Sequence, residues 1–176
     1  MKDFWVFGYG SLMWRPGFDF VESKRARLHG FHRSLCIYSH VYRGTAEKPG
    51  LVLGLDEGGF CDGMAFKIAE DASQQVVDYL REREQVNNVY LEKLQAIELV
   101  NGENAEAIVY VADCNHVQYA HPMAVELAAD IVASASGNAG PNHEYVKATL
   151  QHLEQIGVAD EGLEMIWQHV QARLTQ

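Results

Sequence analysis

The sequence predicts an α+β fold in which a small, mostly antiparallel β-barrel is packed by helices. The first two thirds of the 176 residues consist of short β-branched and aromatic runs broken by turn residues, whereas the last third has helical periodicity. Strands that precede helices, rather than alternating with them, favour α+β over a parallel βαβ arrangement. Because no repeat, low-complexity tract or long linker interrupts the chain, we expect a single domain over residues 1–176.

Each element follows from the spacing of apolar residues between turn signals. One helix, over residues 72–87, is embedded among the strands. Strands are predicted at 4–9, 26–42, 51–55, 63–68, 90–99 and 107–112, with a turn "DEGGFCD" at 56–62 between the third and the fourth. Further helices are predicted at 123–136, 142–155 and 161–174, separated by glycines at 137, 140 and 157.

The charge and the cysteines restrict the class of protein. A formal net charge of −10 argues against nucleic-acid binding, which requires a basic surface, and against a polybasic membrane anchor. No apolar run approaches the length of a membrane span, and the first residues do not resemble a signal peptide. Cys36, Cys61 and Cys114 match no disulfide or zinc spacing. We therefore expect a cytoplasmic protein with no nucleic-acid or membrane partner.

The segment "FGYGSL", residues 7–12, ends the first strand in a glycine-rich turn. A dinucleotide fingerprint would need a third glycine where Met13 stands, and a phosphate loop would need Gly-Lys-Ser/Thr. A nucleophile elbow requires glycines two residues before and after the serine, but Ser11 has Tyr9 and Met13 there. Two alternatives remain: a plain tight turn, or a turn whose backbone N–H groups bind an anion or oxyanion.

A carboxylate falls on the apolar face of the embedded helix. With about 100° per residue from Val76, Leu80 lies at about 40° and Glu84 at about 80°, whereas Glu82 lies at about 240°, facing solvent. On the buried face, Glu84 would lose solvation and have a pKa suited to general acid/base catalysis. Alternatively, Glu84 lies on a fraying last turn, reaches solvent and pairs with an arginine. The pattern does not decide between these two, and it leaves open whether Arg83 pairs with an acid or closes over the site.

Other candidate residues give weaker signals. His29 and His32 are three apart in a predicted strand and so face opposite sides, which makes a poor metal pair. Tyr145 begins an amphipathic helix after a Gly-Pro break, where it is either a core residue or a pocket wall. We predict no metal site.

Four segments together resemble the ChaC-type γ-glutamylcyclotransferases. They are "FGYGSLMWRPGF" (7–18), "YRGTAEKPGLVLGLDEGGFCDGMAF" (42–66), "YLRERE" (79–84) and "GPNHEY" (140–145), and they span nearly the whole chain in order. "YGSL" alone is typical of the wider γ-glutamylcyclotransferase-like superfamily, whereas the longer second segment and "WRPGF" are similar to the ChaC branch.

The resemblance implies a mixed α/β fold around a small β-barrel. It also implies cleavage of glutathione to 5-oxoproline and cysteinylglycine, without a metal or cofactor. The catalytic glutamate of the family corresponds to Glu84, and a tyrosine that contacts the pocket corresponds to Tyr145. The residues that would cradle the γ-glutamyl group are Tyr9, Gly10, Ser11 and Leu12. The substrate is thus expected to be a small molecule, while the oligomeric state is not predicted.

Three functions remain open from the sequence. The first is cleavage of glutathione, and the second is the same cyclisation on other γ-glutamyl amines or dipeptides. The third is a non-catalytic regulator that keeps the fold to bind a γ-glutamyl ligand. A buried carboxylate costs stability and has no use in a binding module, so an intact Glu84 beside an intact "YGSL" favours an enzyme.

Overall fold

The computed structural model describes residues 4–176, which group into two compact units. The first unit comprises the described residues up to Arg33 together with Leu55–Asp113, and the second comprises Ser34–Gly54 and Cys114–Gln176. The single domain predicted over residues 1–176 stays a prediction. No helix within residues 4–176 is long and apolar enough to cross a membrane.

Five strands form a closed barrel in the order β1-β3-β2-β4-β5. The pairs β1–β3, β2–β4 and β4–β5 are antiparallel, and β1–β5 is parallel, which confirms the predicted α+β fold with a mostly antiparallel barrel. The barrel strands are β1 Phe4–Gly8, β2 Glu22–Ser39, β3 Gly50–Ile68, β4 Tyr90–Leu99 and β5 Asn104–Ala112. The short strands β6 Ser136–Gly137 and β7 Gly140–Pro141 pair with each other.

Helix α1, Ser73–Glu84, packs its apolar face into the core of the first unit. Val76 and Leu80 on this face are buried against Val6 of β1 and Tyr110 of β5. The helix follows a 3₁₀ turn at Glu70–Ala72. This packing places the end of α1 beside the barrel, with the helix's polar face towards solvent.

The second unit contains α2 Val125–Ser134, α3 Asn142–Gln155 and α4 Glu161–Leu174. The bounds predicted for the last two helices are confirmed. The Asp160 side chain accepts a hydrogen bond from the N–H of Leu163 at 2.9 Å, which caps the start of α4.

Several predicted element bounds are wrong. Strand β1 ends at residue 8 rather than 9, β2 spans 22–39 rather than 26–42, β5 begins at residue 104 rather than 107, and α2 spans 125–134 rather than 123–136. Two further differences have a clear local reason. The segments 51–55 and 63–68 belong to one strand, β3, because Gly58 and Gly59 take positive φ values of 103° and 65° within it and let the strand bend instead of ending. Helix α1 ends at Glu84 rather than at residue 87, and the chain then turns through Asn88, whose φ is 57°.

Candidate active site

The loop after β1 is a short helical turn rather than an open coil. Tyr9 and Gly10 lead into a 3₁₀ helix at Ser11–Met13, in which the N–H of Met13 donates to the carbonyl of Gly10 at 2.9 Å. In such a turn the N–H groups of Ser11 and Leu12 precede the first helical hydrogen bond and have no acceptor within the helix. The side chain of Leu12 is buried in the hydrophobic core, and this packing anchors the turn.

A buried arginine holds the first peptide of this loop. Arg33 is 8% exposed, and its Nε donates to the carbonyl of Tyr9 at 2.6 Å while its Nη2 donates to the carbonyl of Asp62 at 2.6 Å. No cis peptide occurs among the described residues, so the N–H of Gly10 points opposite to the Tyr9 carbonyl. The guanidinium therefore fixes the direction in which the Gly10 amide points.

Two glycines allow the loop to pack closely on the barrel. A Cβ added at Gly8 would lie 3.0 Å from the Cβ of Leu12 and 3.2 Å from the backbone nitrogen of Met13. A Cβ at Gly63, across the β1–β3 pair, would collide with the carbonyl oxygen of Gly8. Side chains at these positions would push the turn away from the strands.

Glu84 is the last residue of α1, and its side chain is 16% exposed. Burial raises the pKa of its carboxyl above the ordinary value, and the neighbouring Arg83 guanidinium partly opposes this rise. Glu82 on the opposite face is exposed. The structure thus favours the first of the two alternatives, a desolvated carboxylate on the buried face. The ion pair with an arginine, which the second alternative predicts, is present as well.

Arg83 connects the loop to the carboxylate. Its Nη2 donates to Ser11 Oγ at 2.9 Å, and its Nε lies 3.3 Å from Glu84 Oε1. Its Nη1 donates to the carbonyls of Arg15 and Pro16, at 2.7 and 3.0 Å. The serine hydroxyl and the carboxylate thus both contact the guanidinium of a single side chain.

A hydrogen-bonded network that the sequence does not predict lies near Glu84. Tyr110 is 1% exposed, and its hydroxyl donates to Glu92 at 2.9 Å, while Arg81 donates twice to the same carboxylate at 2.9 Å. Burial, the hydrogen bond to Glu92 and the charges of Glu92 and Glu84 all raise the pKa of Tyr110, so its hydroxyl stays protonated. Only the β4–β5 register, which pairs Glu92 with Tyr110, reveals this contact.

Tyr145 lies in the second unit, on α3, and is half-buried. Its hydroxyl accepts a hydrogen bond from the N–H of Leu53 at 3.0 Å. The guanidinium of Arg43 lies 5.6 Å from the centre of the Tyr145 ring and donates to the carbonyl of Pro141 at 3.1 Å. A contact between Tyr145 and substrate stays a prediction.

Within residues 4–176 no cluster of three or more histidine, cysteine or acidic side chains is arranged to hold a metal ion. Cys36 and Cys61 are buried, Cys114 is exposed, and the three form no disulfide with one another.

The chain matches the family described as "ChaC-like protein" over residues 4–173. It belongs to the ChaC-like family. A relative from Escherichia coli K12, named glutathione-specific gamma-glutamylcyclotransferase, is 38% identical over 159 residues, which cover 90% of this chain and 69% of that protein. A relative from Danio rerio, named glutathione-specific gamma-glutamylcyclotransferase 1, is 34% identical over 148 residues, covering 81% of this chain and 74% of that protein.

The ChaC-like chain also has the fold of a solved structure. A crystal structure of the yeast gamma-glutamyl cyclotransferase specific to glutathione superposes with a TM-score of 0.86 at 22% identity, covering 98% of this chain and 97% of the yeast chain. At that identity the likeness concerns the fold. It agrees with the β-barrel and helices described above.

Three of the sequence segments that resemble the ChaC branch lie together in the structure. "YGSL" forms the helical turn, and "YLRERE" supplies Arg83 and Glu84 at the end of α1. Gly17 of "WRPGF" has a φ of 77°, and a Cβ there would collide with the hydroxyl of Tyr79, which accepts a hydrogen bond from Arg83 at 3.1 Å. The three blocks therefore meet in the first unit.

Proposed function

We propose that this ChaC-like chain is a glutathione-specific γ-glutamylcyclotransferase that releases 5-oxoproline and cysteinylglycine. The observation that carries the proposal is the desolvated carboxylate of Glu84, which contacts the same guanidinium as Ser11 of the "YGSL" turn. The bacterial and fish relatives, both named as glutathione-specific cyclotransferases, support the choice of substrate.

The reaction needs no nucleophile from the protein. The α-amine of the γ-glutamyl group attacks its own δ-carbonyl, which forms the C–N bond of a five-membered lactam, and the amide bond to cysteine then breaks. Since the nucleophile is tethered to the carbonyl, the protein has only to hold the bent conformer and to move protons. No metal or cofactor takes part in this proposed mechanism.

Glu84 is proposed as the proton carrier. The α-amine is mostly protonated at neutral pH and must lose its proton before it attacks, and the departing cysteinyl amine must gain one. A carboxylate whose pKa is raised by burial accepts the first proton and returns it to the leaving nitrogen. The charge of Arg83 opposes the rise in the pKa of Glu84 and so favours the ionised form that a base requires.

The turn at residues 9–12 is proposed to cradle the γ-glutamyl group. The N–H groups of Ser11 and Leu12 have no acceptor within the 3₁₀ helix, and Arg33 directs the N–H of Gly10 away from the buried Tyr9 carbonyl. Such amides bind either the substrate carboxylate or the oxyanion that forms during attack. Tyr145 is proposed as a further contact to the substrate, on the strength of the family resemblance alone.

We also propose that the protein acts in the cytoplasm on a small-molecule substrate. Three cysteines that form no disulfide with one another suit a reducing compartment. The net charge of −10 supports the expectation that nucleic acid is not a partner.

The test is incubation of the purified protein with glutathione and a panel of γ-glutamyl dipeptides and amines, with 5-oxoproline as the product measured. We expect turnover of glutathione well above that of the other compounds. Comparable or faster turnover of another γ-glutamyl compound would replace glutathione by the broader cyclotransferase activity. Absence of product from every compound, with binding of glutathione retained in calorimetry, would identify a regulator and reject the enzyme.

A further inference from the structure

The arrangement around Arg83 goes beyond what an ion pair with Glu84 requires. The side chain is 21% exposed and donates to four acceptors: Ser11 Oγ, the carbonyls of Arg15 and Pro16, and the hydroxyl of Tyr79. Two of these acceptors are backbone atoms of the segment that follows the "YGSL" turn. Arg83 therefore joins this segment to the end of α1 by several charge-assisted hydrogen bonds.

The hydrogen bonds leave little of the guanidinium for a substrate. Arginine has five N–H donors, of which the two on Nη1 serve three acceptors and one on Nη2 serves Ser11. Nε faces Glu84 at 3.3 Å. A bidentate grip on a substrate carboxylate would require Arg83 to give up some of these bonds. Its geometry thus suits the support of other groups better than the binding of glutathione.

We propose that Arg83 is a positioning residue that fixes the "YGSL" turn relative to Glu84 and, through the same guanidinium, places a positive charge against that carboxylate. Rigid hydrogen bonds to Ser11, Arg15 and Pro16 hold the turn. The Nε edge beside Glu84 supplies the positive charge. This inference rests on the function proposed above, because it assigns Arg83 a part in the same site.

The titratable and polar groups around Glu84 and Arg83 come from α1, β4, β5 and the loop after the "YGSL" turn. On α1 the neighbour is Arg83, and on β5 it is Tyr110, whose hydroxyl donates to Glu92 of β4. The loop segment contributes the carbonyl of Arg15 to the opposite side of the Arg83 guanidinium. The charge of Glu92 is already paired with Arg81, whose bidentate contact holds the pKa of Glu92 below the ordinary value. Arg83 is thus the cation in direct contact with Glu84.

Two substitutions separate the two roles. Arg83→Lys keeps the charge but loses the planar fork, so the turn is held less firmly while Glu84 still faces a cation. For this variant we expect KM for glutathione to rise by about tenfold, with the acid limb of the kcat/KM pH profile in its wild-type position. Arg83→Gln removes the charge, so the acid limb should also move by about one unit or more to higher pH, because Glu84 loses the group that favours ionisation.

Arg27→Gln is the matched control. Arg27 is an arginine of the same unit with a complete ion pair, to Asp62 at 2.7 Å, and it contacts neither Ser11 nor Glu84. Both its KM and its acid limb should equal those of the wild type. Circular dichroism and thermal unfolding of each variant identify those that are folded, and Arg83→Lys provides the folded comparison if Arg83→Gln is unstable.

The outcomes are distinct from failure of the proposed function. If Arg83→Lys raises KM and leaves the acid limb in place, while Arg83→Gln raises KM and also shifts the acid limb, the inference holds. If neither variant changes KM or the acid limb, the inference is wrong even though the enzyme is active. If both raise KM equally and leave the acid limb in place, Arg83 binds substrate or only supports the fold, and the inference is also wrong. Failure of the proposed function would instead appear as absence of 5-oxoproline from the wild-type protein.

Discussion

The buried Arg33 beneath the "YGSL" turn gives a sharp test of how the loop is held. Arg33→Met removes hydrogen bonds of 2.6 Å to the carbonyls of Tyr9 and Asp62 from a side chain that is 8% exposed. A hydrogen bond from a charged donor contributes about 1.5–3 kcal/mol, and removal of a buried charge offsets part of the loss. We expect the free energy of unfolding to fall by about 2–4 kcal/mol, which lowers Tm by about 4–16 °C in a chain of this length.

The assay is thermal unfolding of Arg33→Met beside Arg27→Met, a control on the same strand. Arg27 forms an ion pair with Asp62 at 2.7 Å, but its side chain is 43% exposed, so its loss should cost about 0–1 kcal/mol. In addition, only Arg33→Met should raise KM for glutathione, since the Gly10 amide is no longer held. Equal losses of stability in the two variants, or an unchanged KM in Arg33→Met, would refute this account of the loop.

The remaining predictions concern other parts of the two units. Gly17→Ala should lower the free energy of unfolding by about 1–2 kcal/mol because the φ of Gly17 is 77°, and by a further amount because the new Cβ displaces the Tyr79 hydroxyl. Gly102→Ala is the control, since Gly102 is exposed and has a φ of 85° but open space around it. In urea unfolding, Gly102→Ala should show only the backbone cost and Gly17→Ala should show both. Asn142→Ala should lower the free energy of unfolding by about 2–4 kcal/mol, because it leaves both backbone groups of buried Leu51 without their 2.8 Å partners; a loss below about 1 kcal/mol would contradict this. Glu92→Gln should cost about 1 kcal/mol at pH 7. Since the pKa of Glu92 is lowered from 4.5 in the folded state, the difference from wild type should shrink as the pH falls below 4.5 and disappear once the pH is below the folded-state pKa; a difference independent of pH would argue against the ion pair as its origin.

The sequence predicts those parts of the structure that depend on local periodicity. Apolar spacing is enough to place β4 and the last two helices at their observed bounds. The phase of α1 likewise places Glu84 on the buried face and Glu82 in solvent. The strand β3 was divided wrongly because two adjacent glycines are as compatible with a bent strand as with a turn.

The sequence does not predict contacts that depend on the register between strands. The pairing of Glu92 with Tyr110 requires the β4–β5 alignment, which local patterns do not give. Arg33 lies in β2, where buried and more exposed residues alternate. That pattern does not show that the Arg33 side chain reaches the carbonyl of Tyr9. Arg83 was a candidate by its position, yet its hydrogen bonds to the loop follow only from the tertiary packing of α1.

The stability of the protein provides a check on the proposed role of Glu84. A carboxyl whose pKa is raised on folding binds its proton more tightly in the folded state, so stability falls as the pH rises from the unfolded to the folded pKa. At neutral pH the ionised Glu84 is therefore a destabilising group. Its replacement by glutamine should leave Tm unchanged or raise it, and a loss of activity could not then be attributed to unfolding.

The most direct test of the central claim is the rate of 5-oxoproline formation from glutathione by Glu84→Gln, measured beside Glu82→Gln. A positioned general acid/base contributes about 10²–10⁴ to a rate, so kcat of Glu84→Gln should fall by at least about 100-fold with Tm unchanged or higher. Glu82, which is exposed on the opposite face of α1, should be replaceable with nearly wild-type kcat. If Glu84→Gln retains most of its turnover, Glu84 is not the proton carrier and the mechanism is wrong.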